Sequence, residues 1–261
     1  MQSVNYKGYF IDLDGTMYKG TEPIKEAPAF VENLKNNQVP YLFLTNNSTS
    51  TPEQVAEKLR LKFEIPANAK DVYTSALATA DHVKKLDGRR VYVVGEHGLK
   101  KALEDVGCVI TDTDIDHVIV GLDRELTDKK CEIASLAIQK GATFIATNKD
   151  TNIPSERGML PGAGSVIALI ERATQTKPVF IGKPETIMMR SALEKIGLAK
   201  NTVLMVGDNY ETDILAGINS GVDTLLVLTG FTKRSDLINI EKQPTYIIET
   251  LDEWGNQSAR A

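Results

Sequence analysis

The stretch Tyr9-Phe10-Ile11-Asp12-Leu13-Asp14-Gly15-Thr16 begins with apolar, β-prone residues and then presents two carboxylates, a glycine and a hydroxyl. This order predicts a strand that is buried on both faces and carries charge to its carboxyl end. In open α/β sheets, ligands bind at that edge. Asp12 and Asp14 would alternate faces on a continuing strand. Both can reach one site only if the chain leaves the pleat at Asp14, which Gly15 permits.

If Asp12 and Asp14 reach the same site, a cation is needed to offset their negative charges. Clustered carboxylates repel each other, whereas Mg²⁺ prefers oxygen ligands and would stabilise both. The alternative interpretation of Asp14-Gly15 is a simple turn, since Asp-Gly is common in turns. The stretch alone leaves both interpretations open.

Composition narrows the possible partners and the cellular location. The chain has 261 residues, 42% of them hydrophobic, and a formal net charge of −5. No run of Lys and Arg predicts a nucleic-acid partner, and no apolar run approaches the roughly 20 residues of a membrane helix. The sequence enters its first strand without the pattern of a signal peptide, so we expect a cytoplasmic protein with no membrane partner. Cys108 and Cys131 lack the spacing of a zinc site.

The order of predicted elements indicates an α/β protein with an insertion. Strands and helices alternate up to residue 86, which predicts a Rossmann-like, doubly wound parallel sheet. A second α/β series begins at Asp87. We therefore predict a discontinuous core of residues 1–86 and 179–261, with an inserted α/β domain of residues 87–178. The polar stretch 147–164 is expected to be irregular, and the tail from Gly255 is expected to fray.

Three further apolar strands are predicted to end in polar residues. One ends in Thr45-Asn46 and another in Gly182-Lys183-Pro184, where a lysine opposes the dipole of the following helix unless an anion is present. A third ends in Gly207-Asp208-Asn209, with Asp213 shortly after. Each residue alone could be an ordinary surface group.

Together with Asp12, these groups form a constellation. A carboxylate nucleophile, a hydroxyl donor, a cation and a metal carboxylate are what phosphoryl transfer requires. In this order the motifs resemble those of the haloacid dehalogenase superfamily of aspartate-nucleophile phosphatases. The likeness covers most of the chain and is closest to the NagD-like branch, whose members carry an α/β cap (the C2 type) inserted after the second motif. The 31 positions from Asp14 to Thr45 leave no room for an earlier cap.

The resemblance implies a catalytic pair and a cofactor. Asp12 would attack phosphorus and form an aspartyl-phosphate, while Asp14 would protonate the leaving alcohol and later activate water. The implied Mg²⁺ ligands are the Asp12 carboxylate, the main-chain carbonyl of Asp14 and Asp208. Asp213 would support Lys183 or a metal-bound water.

The resemblance also implies a substrate-binding set and a substrate class. Thr45 and Lys183 would hold the phosphoryl oxygens, and Asn46 and Asn209 would line the pocket. The retained Asp14 favours small phosphate monoesters, namely sugar phosphates, nucleoside monophosphates and aryl phosphates.

The cap loop is the predicted source of specificity. Asn148 and Asp150 are expected to face the leaving group, although a polar loop can simply be solvated. The expected partner of the protein is a small phosphorylated metabolite. Caps in related proteins often mediate pairing, so a homodimer is a further possibility.

Two other functions remain open. One is a catalytically idle, phosphate-sensing or regulatory module on the same fold, which would not need a nucleophile. The other is a nucleotide-cofactor-binding protein, suggested by Gly162-Ala163-Gly164, although this motif lacks the third glycine and follows no clear strand.

Overall fold

The computed structural model describes residues 6–155 and 157–254. The tail predicted to fray from Gly255 lies outside the described residues. The chain divides into two compact units. Unit 1 comprises residues 1–45, 53–73 and 189–261, and unit 2 comprises residues 46–52 and 74–188.

The α-helices and β-strands alternate along most of the chain, as the sequence predicts. The helices are α1 (Ala27–Asn36), α2 (Pro52–Phe63), α3 (Ser75–Val83), α4 (His97–Asp105), α5 (Asp128–Gln139), α6 (Ala163–Thr174), α7 (Thr186–Ile196) and α8 (Leu215–Ser220). The strands are β1 (Gly8–Ile11), β2 (Tyr18–Lys19), β3 (Glu22–Pro23), β4 (Tyr41–Thr45), β5 (Val72–Thr74), β6 (Arg90–Val94), β7 (Val109–Ile110), β8 (His117–Val120), β9 (Thr143–Ala146), β10 (Asn152–Ser155), β11 (Gly158–Pro161), β12 (Val179–Phe180), β13 (Val203–Gly207), β14 (Asp223–Val227) and β15 (Tyr246–Ile248).

The main sheet of unit 1 has the strand order β15-β14-β13-β1-β4-β5. β1 lies at its centre and pairs in parallel with both β13 and β4. All four residues of β1 and all five of β13 are buried, which explains their continuous apolar sequences. The non-consecutive order of parallel strands is that of a Rossmann-like, doubly wound sheet, and this prediction of the fold class is confirmed.

Unit 2 has its own five-stranded sheet, with the order β12-β9-β8-β6-β7 and parallel pairing throughout. One core of this unit packs α5 and α6 against the sheet through Ala134, Ile138, Val166 and Ile170. In the described part of the chain, no helix combines the length and the apolar character needed to span a membrane.

The structure corrects the sequence analysis at two places. β12, which leads to Lys183, was expected in the core sheet but pairs with β9 of the second sheet, Val179 lying opposite Ile145. The stretch 147–164 was expected to be irregular, yet it contains the antiparallel hairpin of β10 and β11. Both errors concern short strands, whose two to four residues carry too little periodicity to indicate a partner.

The two compact units divide the chain at other residues than the predicted core and cap, whose boundaries stay a prediction. The prediction placed 46–52, 74–86 and 179–188 in the core, whereas these residues belong to unit 2. The pairing of β12 with β9 gives the physical reason for the last of these segments.

Candidate functional site

The centre of the unit 1 sheet places two acidic residues side by side. Ile11 of β1 pairs with Val206 of β13, and the Asp12 backbone N–H donates to the Val206 carbonyl at 2.9 Å. Asp12 and Asp208 therefore follow neighbouring parallel strands at the same edge of the sheet, as their sequence context predicts.

Asp12, Asp208 and Asp213 form one carboxylate cluster. One oxygen from each of the three lies within 4.8 Å of the others. Asp12 is 9% exposed, Asp208 2% and Asp213 1%. Three carboxylates held this close with so little water repel one another strongly, so the cluster favours a bound cation.

Backbone and hydroxyl donors hold the Asp208 carboxylate in place. Its Oδ2 accepts from the Phe231 N–H at 2.6 Å, and its Oδ1 accepts from the Thr16 hydroxyl at 3.3 Å. The chain approaches it closely at two glycines. A Cβ on Gly230 would lie 1.9 Å from Oδ2, and one on Gly15, whose φ is +95°, would lie 2.2 Å from the same atom. A side chain at either position would displace the Asp208 carboxylate, and at Gly15 the positive φ would add backbone strain.

Asp213 reaches the cluster through an irregular turn. A π-helical turn, Tyr210–Ile214, follows β13 and precedes α8. The Asp213 Oδ2 accepts from the Asn209 N–H at 3.1 Å, and the Asp213 N–H donates back to the Asn209 carbonyl at 2.9 Å. This turn brings Asp213 into the group of possible metal ligands, whereas the resemblance implies only a supporting role for it.

Asp14 lies outside the carboxylate cluster but next to it in sequence. It is exposed, and its Oδ1 accepts from the Gly20 N–H at 3.1 Å. The Gly15 N–H donates to the Tyr18 carbonyl at 2.6 Å, which turns the chain back immediately after Asp14. An exposed carboxyl group beside a buried cluster can exchange protons with a bound molecule or with water.

Asp14 and Asp12 act electrostatically on the neighbouring Tyr18. Burial, and then the charges of these two carboxylates, raise the pKa of the Tyr18 hydroxyl well above its ordinary value. The ring stacks on Phe63, with the centroids 4.3 Å apart and the planes 5° from parallel. Tyr18 therefore remains neutral and forms part of a rigid wall close to Asp14.

Unit 2 holds a second group of predicted residues around Lys183. The Asn46 Oδ1 accepts from the Lys183 N–H at 2.9 Å, and its Nδ2 donates to the Lys183 carbonyl at 3.0 Å. Lys183 itself is 2% exposed. Asn46 thus fixes the backbone at both sides of Lys183, and a buried ammonium with a fixed backbone is suited to bind an anion.

The predicted specificity residues differ in their surroundings. Asn148 is only 3% exposed, and its Nδ2 donates to the Asn46 carbonyl at 2.9 Å. Its Oδ1 accepts from the Asp150 N–H at 3.1 Å. Asp150 is half-buried and accepts from the Asn46 Nδ2 at 3.1 Å. Asn148 is therefore part of the scaffold around Asn46, whereas Asp150 retains some exposed surface.

The donor set of the carboxylate cluster fits a hard divalent cation. All three side chains offer oxygen, and such ligands suit Mg²⁺ rather than a softer metal. The structure thus brings together Asp12, Asp208 and Asp213 in unit 1, and Asn46, Lys183, Asn148 and Asp150 in unit 2.

Sequence reasoning missed the contribution of residues 229–232. The Thr229 hydroxyl donates to the Gly15 carbonyl at 2.6 Å, and the Thr232 N–H donates to the Asp208 carbonyl at 3.1 Å. The available signal was the position of Thr229-Gly230-Phe231-Thr232 just after the apolar strand β14, which ends at the same edge as β1 and β13.

A doubly wound parallel sheet with a carboxylate cluster at its central strand ends has the ligand-binding edge and the metal-binding oxygens that an α/β enzyme of the phosphoryl-transfer class needs. Comparison with known proteins specifies the family. Residues 9–109 match the haloacid dehalogenase-like hydrolase family, and residues 180–254 match the HAD-hydrolase-like family.

Curated relatives and a solved structure agree with these matches. The chain is 52% identical over 251 residues to 5'-nucleotidase YutF of Bacillus subtilis, covering 95% of this chain and 97% of the relative. It is 50% identical over 250 residues to an acid sugar phosphatase of Staphylococcus epidermidis, covering 95% and 96%. The structure of NagD from E. coli K-12 superposes with a TM-score of 0.91 at 34% identity, covering 95% and 98%.

The chain belongs to the haloacid dehalogenase superfamily, in its NagD-like branch. It is a hydrolase that acts on phosphate monoesters. The resemblance stated from its motifs is confirmed.

Proposed function

We propose that the protein is a Mg²⁺-dependent phosphatase that hydrolyses small phosphate monoesters through an aspartyl-phosphate intermediate. The observation that carries this proposal is the position of Asp12, which is nearly buried at the end of the central strand and within 4.8 Å of two further carboxylates. The substrates are sugar phosphates, nucleoside monophosphates and aryl phosphates. The similarity to a 5'-nucleotidase and to an acid sugar phosphatase supports the first two classes.

The reaction proceeds in two displacements. A carboxylate oxygen of Asp12 attacks phosphorus, the bond between phosphorus and the leaving oxygen breaks, and Asp14 gives that oxygen its proton. Asp14 then takes a proton from water, whose oxygen attacks the phosphorus of the aspartyl-phosphate and releases inorganic phosphate and free Asp12. The exposure of Asp14 supports this role, because its carboxyl group must reach first the leaving oxygen and then the attacking water.

Asp12, Asp208 and the main-chain carbonyl of Asp14 would hold the metal, with Asp213 as a direct or water-mediated ligand. When bound, Mg²⁺ supplies positive charge that offsets the repulsion between the Asp12 carboxylate and an anionic phosphoryl group. Phe231 N–H and the Thr16 hydroxyl keep the Asp208 carboxylate oriented. This fixed orientation lowers the reorganisation needed during the reaction.

The remaining residues serve the substrate. Thr45 and Lys183 bind phosphoryl oxygens, Asn46 holds the backbone of Lys183, and Asn209 lines the pocket. Residues 1–86 and 179–261 form the catalytic core, and residues 87–178 form the inserted cap. Association into a homodimer stays a prediction.

Release of inorganic phosphate from a panel of esters tests the proposal. With Mg²⁺ we expect phosphate release from a sugar phosphate, a nucleoside monophosphate and p-nitrophenyl phosphate. A sensing module would bind such ligands without releasing phosphate, so calorimetric binding of glucose 6-phosphate should be measured in parallel. Binding without turnover on the whole panel would support the sensing function and contradict the phosphatase.

Asp150 and Asn148 should respond differently to substitution. Because Asp150 keeps exposed surface, we expect Asp150→Ala to change the ratio of kcat/KM between two substrates by about fivefold. Because the buried amide of Asn148 supports Asn46, Asn148→Ala should lower kcat/KM for every substrate by a similar factor. Steady-state kinetics on three esters measures both effects.

The matched control is Asp112→Ala, which removes an exposed acidic charge elsewhere in unit 2. This variant should change neither the ratio of kcat/KM between substrates nor kcat/KM for any one of them. An Asp150→Ala protein with unchanged substrate ratios would show that Asp150 does not contact the leaving group.

A further inference from the structure

A lysine of α2 lies close to the proposed acid/base residue and has no role in the reaction described above. The Lys58 Nζ is 4.1 Å from the centroid of the Tyr18 ring and 5.6 Å from that of Phe63. The aromatic pair is stacked and buried, so the Lys58 ammonium lies on a rigid surface. Among the described residues, no carboxylate lies within ion-pair distance of this ammonium.

Two observations place Lys58 on the leaving-group side of the site. Tyr18 pairs with Asp14 through an isolated β-bridge, so the ring beneath Lys58 belongs to the turn that carries Asp14. The charge of Asp14 also acts on Lys58. Burial lowers the pKa of the Lys58 ammonium, and the Asp14 carboxylate opposes this effect. Since Asp14 gives its proton to the leaving oxygen, a cation near Asp14 lies near the leaving group.

We propose that Lys58 binds an anionic substituent, such as a carboxylate, on the leaving group of the substrate and thereby selects phosphorylated acids over their neutral analogues. The inference rests on the proposed function, because it takes the position of the leaving group from the role of Asp14. The contact between Lys58 and the anionic substituent is separate from binding of the phosphoryl group, which is assigned to Lys183 and the metal ligands. A half-buried ammonium has lost part of its hydration, so an anionic oxygen gains more from it than from an exposed lysine.

The sharpest test uses two ligands that differ in one group. D-3-Phosphoglycerate and sn-glycerol 3-phosphate share a three-carbon phosphate ester, and the first carries a carboxylate where the second carries a hydroxymethyl group. We expect the wild-type protein to prefer phosphoglycerate in kcat/KM. Lys58→Met should lower the ratio of the two values about tenfold, and Lys58→Arg, which keeps the charge, should retain most of it.

Lys62→Met is the matched control. Lys62 is an exposed lysine of the same helix, one turn further on, and its removal deletes the same charge. We expect the ratio to remain at the wild-type value in this variant. A merely structural contact between Lys58 and the aromatic pair would change both substrates alike and leave the ratio unaltered.

Binding measured without turnover separates this inference from the proposed function. Calorimetry with the two ligands, in the presence of Mg²⁺, is carried out on Asp12→Asn and on Asp12→Asn combined with Lys58→Met. A carboxylate preference that disappears with Lys58 supports the inference even if the wild type hydrolyses neither ester, in which case the proposed function fails. Equal affinity for both ligands, no affinity for either, or a preference that persists without Lys58 overturns the inference.

Discussion

Asp12→Asn is expected to lower kcat for p-nitrophenyl phosphate by about 10⁴-fold or more. The amide is a poor nucleophile, and it cannot form the acyl phosphate on which the second displacement depends. The substitution preserves the shape of the side chain and the backbone bond from the Asp12 N–H to the Val206 carbonyl, so the sheet should fold normally. Release of nitrophenolate under saturating Mg²⁺ measures the effect, and thermal unfolding checks the fold.

Asp14→Asn is the informative companion variant. Nitrophenolate is stable enough to leave without a proton, so the first displacement should still occur. The second should stall, because no carboxylate remains to activate water. We therefore expect one burst of nitrophenolate per protein and a mass increase of one phosphoryl group, which Asp12→Asn abolishes. Normal turnover by Asp12→Asn, or labelling at another residue, would rule out Asp12 as the nucleophile.

The central part of the site can be predicted from the sequence, because burial restricts β1 and β13 to apolar residues. β1 and β13 are covered on both faces, so their residues form unbroken apolar runs, and the change to Asp12 and Asp208 marks where each strand leaves the core. Parallel pairing then brings such ends to one edge. The adjacency of these two carboxylates therefore follows from local sequence and a general rule of topology.

Other features depend on interactions that local sequence does not encode. β12 has two residues, and its choice of sheet is decided by the pairing of Val179 with Ile145 far away in the chain. Asp213 joins the cluster only because the chain makes a π-helical turn between β13 and α8, whereas its sequence context is equally typical of an acidic helix start. The position of Lys58 over Tyr18 likewise joins two elements 40 residues apart.

Removal of the metal is expected to lower kcat strongly and also to lower the Tm, because the clustered carboxylates then repel one another. Excess chelator should reduce kcat by about 10³-fold, and added Mg²⁺ should restore it. Mg²⁺ should also raise Tm, because three carboxylates within 4.8 Å of one another repel until a cation binds, and a ligand that binds only the folded state stabilises it. Activity assays and thermal unfolding, each with and without chelator, measure both effects.

Asp208→Asn separates the effect of the metal on activity from the effect of carboxylate repulsion on the Tm. The variant removes one of three close negative charges. It can keep the bonds to Thr16 and Phe231, since the Thr16 hydroxyl can accept from the new amide while the carbonyl oxygen accepts from the Phe231 N–H. Its metal-free Tm should therefore exceed that of the wild type by about 2–4 °C, as expected for relief of about 1 kcal/mol. The increase with Mg²⁺ should be lost together with activity.

Glu22→Gln, which removes an exposed charge from β3 of the same unit, should leave both the metal-free Tm and the Mg²⁺ response at wild-type values. A metal-free Asp208→Asn protein that unfolds below the wild type would contradict the repulsion argument. It would mean that the hydrogen bonds around Asp208 contribute more to the free energy of unfolding than the clustered charges cost. If the metal-free Asp208→Asn protein has the higher Tm, the three clustered carboxylates lower the stability of the metal-free wild type. Their role in binding the catalytic cation then explains why they are present despite this cost.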